Sequence, residues 1–167
     1  MLKVRIGPEL RRRVDPEDAV QEVLTEAVAR SREWADREDL PLAVWLRLLA
    51  QQKLSDLFRR HLGAEARDVR RERHEDAAST AFADHLIGHA TSPSGAVARK
   101  ELRDRLLASL REMPEPDREI LLLRHFEQLS GADAARVLGL ERSAASKRYF
   151  RALQRLREAL VALGIEP

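Results

Sequence analysis

The stretch from Ser130 to Leu163 narrows the fold more than any other. Ser130-Gly131-Ala132-Asp133 has capping-box spacing and opens a short helix predicted to reach Leu138. Gly139 then supplies a residue that tolerates φ > 0 in a tight turn. A long helix is predicted from Glu141 to Leu163. Short helix, glycine turn and long helix make a helix-turn-helix pattern. Ahead of it, Pro114 and Pro116 break the chain. A helix over 117–127 is predicted next, with Ile120, Leu121, Leu123 and Phe126 inward.

On a helical wheel the long helix has two characters. Ala145, Tyr149, Ala152, Leu156 and Leu160 share a face that packs on the preceding helices. Arg148, Arg151 and Arg155 share another, while Arg142, Ser143, Ser146 and Lys147 occupy the first turns. Six basic residues and no acid lie between Arg142 and Arg157, although the whole chain carries a formal charge of only +2. In a helix-turn-helix the start of the second helix enters the major groove. Small Ala144 and Ala145 let its backbone approach, and Arg and Lys reach phosphates or guanine edges. Arg142, Ser143, Ser146, Lys147, Arg148, Arg151 and Arg155 are therefore the predicted DNA-binding set. A solvated basic face would carry the same charges. The capping box, Gly139 and the apolar pattern upstream favour DNA.

The rest of the chain reads as helix. Leu, Ala, Arg and Glu dominate and strand-type runs are absent. Asp15-Pro16-Glu17-Asp18 is a strong helix start, followed by Val20, Val23, Leu24, Ala27 and Val28 at helical spacing. Residues 31–41 read as a loop ending in Pro41. A second helix follows, with Val44, Trp45, Leu48, Leu49, Leu54, Leu57 and Phe58 as its predicted buried set. Apolar periodicity fades over 63–91, which reads as a linker with a weak helix near Ser79–Ile87. Ser92-Pro93-Ser94 restarts helix, with Val97, Leu102, Leu106, Leu110 and Met113 as its stripe. The expectation is an all-α chain of two small helical domains: an N-terminal helical bundle over 1–62, a flexible linker over 63–93, and a C-terminal helix-turn-helix domain over 94–167.

Several function classes lose support. Cysteine is absent, which removes disulfides and thiolate chemistry and fits a reducing cytosol. No apolar run suits a membrane span, and Met1–Arg13 reads as no signal peptide, so the expected location is cytoplasmic. There is no nucleophile–base pattern, phosphate loop or metal spacing. His61, His74, His85 and His89 have no convincing ligand arrangement. No enzyme activity, cofactor, metal or small-molecule substrate is expected.

The segment from Leu110 to Leu160 resembles region 4 of extracytoplasmic-function (ECF) sigma factors of bacterial RNA polymerase. The resemblance rests on Leu110, Pro114, Arg118, Leu123-Arg124, Leu129-Ser130, Ala135, Leu138-Gly139, Arg148, Arg151-Ala152 and Leu156. Ala144-Ala145-Ser146 departs from the Thr-Val-Lys run often found there, which bears on base preference at the −35 element. DPEDAVQEVLTEA, from Asp15 to Ala27, is similar to region 2.2 of the same family, and Trp45 to Arg60 to regions 2.3 and 2.4, with Gln52 in place of the usual Asn. The resemblance implies that Asp18, Gln21 and Glu22 bind core RNA polymerase. It implies that Trp34, Gln52, Asp56, Arg59 and Arg60 serve opening of the −10 element, with the loop from Arg30 to Leu42 holding a flipped base. Trp45 reads as core.

The family implies promoter DNA and core polymerase as partners, with an anti-sigma factor a further one. It also carries more chain before region 2, so the helices over 17–30 and 42–60 are expected to expose apolar surface and the N-terminal half to be the less stable. The promoter elements lie roughly 17 base pairs apart, on the order of 60 Å, and about 30 extended residues reach roughly 100 Å. Two other readings stand beside this one. A helix-turn-helix regulator would bind DNA without core polymerase. An adaptor would use its N-terminal helices on a protein while the basic helix only solvates.

Overall fold

The structure is a computed structural model that describes residues 1–37, 39–62, 67–89 and 95–165. Every regular element among the described residues is helical: α1 Leu2–Arg5, α2 Pro8–Arg11, α3 Pro16–Ala29, α4 Ser31–Ala35, α5 Leu42–Leu62, α6 Arg67–His89, α7 Ala96–Glu112, α8 Glu115–Leu121, a π-helical turn Leu122–Phe126, α9 Gly131–Leu138 and α10 Arg142–Ala162. The chain divides into two compact units, Met1–Ala77 and Ala78–Pro167.

In the first unit, α3 begins as its sequence dictates. The Asp15 carboxylate accepts from the Glu17 N–H at 2.8 Å, and Pro16 occupies the first turn. Ala19, Val23 and Ala27 line its buried face, packed with Trp45, Leu49, Leu54, Leu57 and Phe58 of α5. The segment ahead of α3 is also folded onto this core. Leu2, Ile6 and Leu10, four residues apart, are buried there. The apolar surface left over is Leu24, Val28, Leu42 and Leu48, with Val28 75% exposed. The expected loop over 31–41 contains the single-turn helix α4, whose Trp34 packs on the unit's core.

The weak helix expected near Ser79–Ile87 is present as part of α6 but is longer than expected. It extends through much of the expected linker, and from Ala78 onward it belongs to the second unit. Helix runs over Arg67–His89, and Ala78, Phe82, Ala83 and Ile87 belong to the same core as Leu106 and Leu110 of α7, Ile120 and Leu121 of α8, and Ala152, Leu156 and Leu160 of α10. Spacing of four and five residues makes these side chains one stripe. The expected restart at Ser92-Pro93-Ser94 lies outside the described residues. On α7 the predicted stripe keeps Leu106, Leu110 and Met113, which are buried, loses Val97, which is exposed, and gains Leu107.

Pro116 does not break the chain. It sits in the first turn of α8, where its missing N–H costs nothing. Beyond it Ile120, Leu121, Leu122 and Leu123 are buried in succession. An α-helix turns about 100° per residue, so four consecutive buried side chains mean that this stretch is packed on more than one side. The π-helical turn widens the coil, with the Glu127 N–H reaching the Leu122 carbonyl at 2.8 Å.

The helix-turn-helix forms as read. The Ser130 hydroxyl accepts from the Asp133 N–H at 3.1 Å and donates to the Asp133 carboxylate at 2.6 Å. Gly139 adopts φ 63° and ψ 34°. The Leu140 N–H bonds to the Ala135 carbonyl and the Gly139 N–H to that of Arg136, which closes a Schellman turn.

Candidate nucleic-acid interface

Helix α10 is held from behind and open in front. Ala145, Ala152, Leu156 and Leu160 are buried, as the wheel predicted, and Tyr149 is half-buried. Arg142, Ser143, Ser146, Lys147 and Arg151 are exposed, and Arg148 is half-buried. Among the described residues, none of Arg142, Lys147, Arg148 and Arg151 has an ion-pair partner. Glu141 is the N-cap and makes no side-chain cap, so the first backbone N–H groups of α10 face outward beside these cations. The combination is a cationic ridge with free donors, suited to phosphate and to base edges.

Arg155 does not belong with the open set. Its guanidinium is paired with Asp117 of α8, whose side chain is only 7% exposed against 46% for Arg155. The predicted grouping of Arg148, Arg151 and Arg155 is corrected accordingly: the third member fastens α10 to α8. Arg155→Ala strands a buried carboxylate, so it will destabilise the unit by about 1–3 kcal/mol, measured by urea denaturation. Asp117→Asn with Arg155→Ala should recover part of that loss. Arg118 is likewise turned inward and donates to the Leu110 carbonyl at 3.1 Å.

Sequence reasoning missed Phe150. It is 71% exposed between Lys147 and Arg151 on the outward face. An apolar side chain there suits contact with a thymine methyl. The wheel could have found it, since it lies three residues beyond Lys147. Behind the same helix, His125 meets Tyr149, with the hydroxyl 2.9 Å from His125 Nε2 and the rings stacked at 5.7 Å and 24°. Burial, then Arg124, then His85 hold the His125 pKa below its ordinary value, which favours the neutral ring.

In the first unit, Asp18, Gln21 and Glu22 are exposed on α3 as predicted. Glu22 is ion-paired with Lys53 of α5, which lowers its pKa chiefly through that hydrogen bond. Asp18 and Gln21 have no such tie among the described residues. Leu24 and Val28 continue the stripe toward the end of α3. On α5, Gln52, Arg59 and Arg60 are exposed and Asp56 is half-buried, paired with Arg59. Trp34 is engaged rather than free. Its indole N–H donates to the Leu40 carbonyl at 2.9 Å and its ring stacks on Trp45 at 6.1 Å. Arg13 donates to the His61 carbonyl, which sets another cation beside the Arg59–Arg60 end of α5. That contact is tertiary, and nothing in the local sequence signals it.

No helix among the described residues is long and apolar enough to cross a membrane, and no group of three or more His, Asp or Glu there is placed to hold a metal.

A family model described as sigma-70, region 4, matches residues 103–156. The RNA polymerase sigma-E factor of Streptomyces coelicolor is 30% identical over 154 residues, which cover 91% of this chain and 77% of that protein. The RNA polymerase sigma factor FliA of Salmonella typhimurium is 26% identical over 132 residues, covering 79% of this chain and 51% of that protein, so this chain spans about half the relative's length. A solved structure titled "Structure of CnrH in complex with the cytosolic domain of CnrY" aligns over 96% of this chain and 78% of that one, with 23% identity and a TM-score of 0.49.

Proposed function

The chain belongs to the RNA polymerase sigma factors of the extracytoplasmic-function type, and on that premise we propose how its residues divide the work of starting transcription. The C-terminal unit reads the −35 element through α10. Arg142, Ser143, Ser146, Lys147, Arg148 and Arg151 meet DNA there, Phe150 adds an apolar contact, and Arg155 holds the helix in place. The observation that carries this reading is the run of unpaired cations on the outward side of the second helix of a helix-turn-helix. The unit's fixed core supports it, because a rigid helix loses little freedom on binding.

The N-terminal unit docks on core RNA polymerase through Asp18, Gln21 and Glu22, with Glu22 already positioned by Lys53. Gln52, Asp56, Arg59 and Arg60 act on the −10 element. Trp34 contributes as the stacked lid of the Trp45 core rather than as a free base platform. The protein does no chemistry of its own and works in the cytoplasm, where the polymerase is. An anti-sigma factor remains a further partner in this reading.

In vitro transcription with core polymerase and a promoter library tests the whole. Initiation from a defined promoter class is the expected result. Sequence-specific DNA binding without core, and no initiation with it, would favour the regulator reading. Lys147→Ala should weaken binding on all sequences alike and lower the salt slope of the affinity by about 1, measured by titration at several ionic strengths.

A further inference from the structure

The DNA-facing turns of α10 are secured to the protein by few side chains. Ala145 is small, and Tyr149 is the large residue that anchors them. Its ring is gripped from the π-helical turn by two consecutive residues. His125 stacks on it, and its Nε2 and the Tyr149 hydroxyl share a hydrogen bond at 2.9 Å. Arg124 lays its guanidinium carbon 5.3 Å from the ring centroid, within cation–π reach. Arg124 also donates to the Leu129 carbonyl at 2.5 Å, so one side chain links the turn before α9 to α10. The turn itself is locked. Gln128 adopts φ 58° and its side chain donates to the His125 carbonyl at 2.7 Å. Without the extra residue of the π-helical turn, everything after it would rotate by about 100°, and His125 and Arg124 would no longer meet Tyr149.

We propose that Arg124 and His125 are positioning residues for promoter recognition, acting through Tyr149 to set the rotation of α10 about its own axis. This rests on the DNA reading of α10. Tyr149 sits between Arg148 and Phe150 in the chain. A small roll of the helix moves both relative to a groove. Specific contacts to base edges need that angle, whereas contacts to phosphates tolerate its loss. The clamp therefore governs discrimination rather than general affinity for DNA.

The test uses the full chain with core RNA polymerase. The probes are the duplex that the wild type enriches from a library randomised over the upstream element, and a duplex of the same length with that element scrambled. His125→Ala should lower the ratio of the two affinities roughly tenfold, the worth of one aligned base contact. Tyr149→Phe, which keeps the ring, should lower it about threefold. His125→Gln should restore most of the ratio, and affinity for the scrambled duplex should stay constant. Parallel losses on both duplexes, or a ratio unchanged within about twofold, would overturn the proposal. A wild type that discriminates nothing would sink the DNA reading of α10 and the proposal with it. Discrimination that survives His125→Ala sinks the proposal alone. The contact can also be read without DNA. Tyr149 is the sole tyrosine, so ring-labelled protein gives one tyrosine signal. It should titrate with His125, below the ordinary histidine range, and cease to do so in His125→Ala. A signal indifferent to pH through that range would also overturn the idea.

Discussion

Replacing Arg148 and Arg151 together with alanine will cut promoter-directed transcription on the order of a hundredfold. Each well-placed arginine contact to a base edge contributes about 1–3 kcal/mol of discrimination, and the two lie one turn apart on the same helix. Neither is spent on an internal ion pair among the described residues, so their loss leaves no buried charge behind. The fold should survive: the residues that hold α10 are Ala145, Ala152, Leu156, Leu160 and the Arg155–Asp117 pair. The measurement is run-off transcription beside thermal unfolding and core-polymerase binding. A double variant that still initiates at the wild-type rate would count against α10 as the reading element. It would favour an adaptor whose basic helix is merely solvated.

Phe82→Ala will have the largest effect on stability. Phe82 is fully buried in the second unit's core, beside Ala78, Ala83 and Ile87 of α6. Truncating a buried phenylalanine costs about 3–5 kcal/mol, a large share of what a small domain has in total. If 63–93 were a flexible linker, the same substitution would do almost nothing. Urea denaturation followed by circular dichroism separates the two cases.

The helix-turn-helix was legible because its signals are local. A serine cap, a glycine at positive φ and a short apolar pattern each act within a few residues, and the structure uses all three. The start of α3 was legible for the same reason. The second half of α6 was legible only in part. A weak helix near Ser79–Ile87 could be read, but not its place in the core. Ala78, Phe82, Ala83 and Ile87 are interrupted by Ser79, Thr80, Asp84 and His85, and their partners lie on α7, α8 and α10. The π-helical turn left a trace in four consecutive apolar residues, which fit neither an α-helical stripe nor a strand in this context. Arg155 shows the other limit. Its wheel position matched the cationic face, but Asp117, thirty-eight residues earlier, claims it. A wheel describes one helix and is blind to the acids of its neighbours.

The indole stack of Trp34 on Trp45 gives this protein a built-in optical report. The chain has two tryptophans, and both lie in the N-terminal unit, ring against ring. Emission excited at the red edge of the absorption band therefore comes from that unit alone. A partner without tryptophan of its own, landing on α3 or α5, can be followed by the colour and yield of this light with no dye attached.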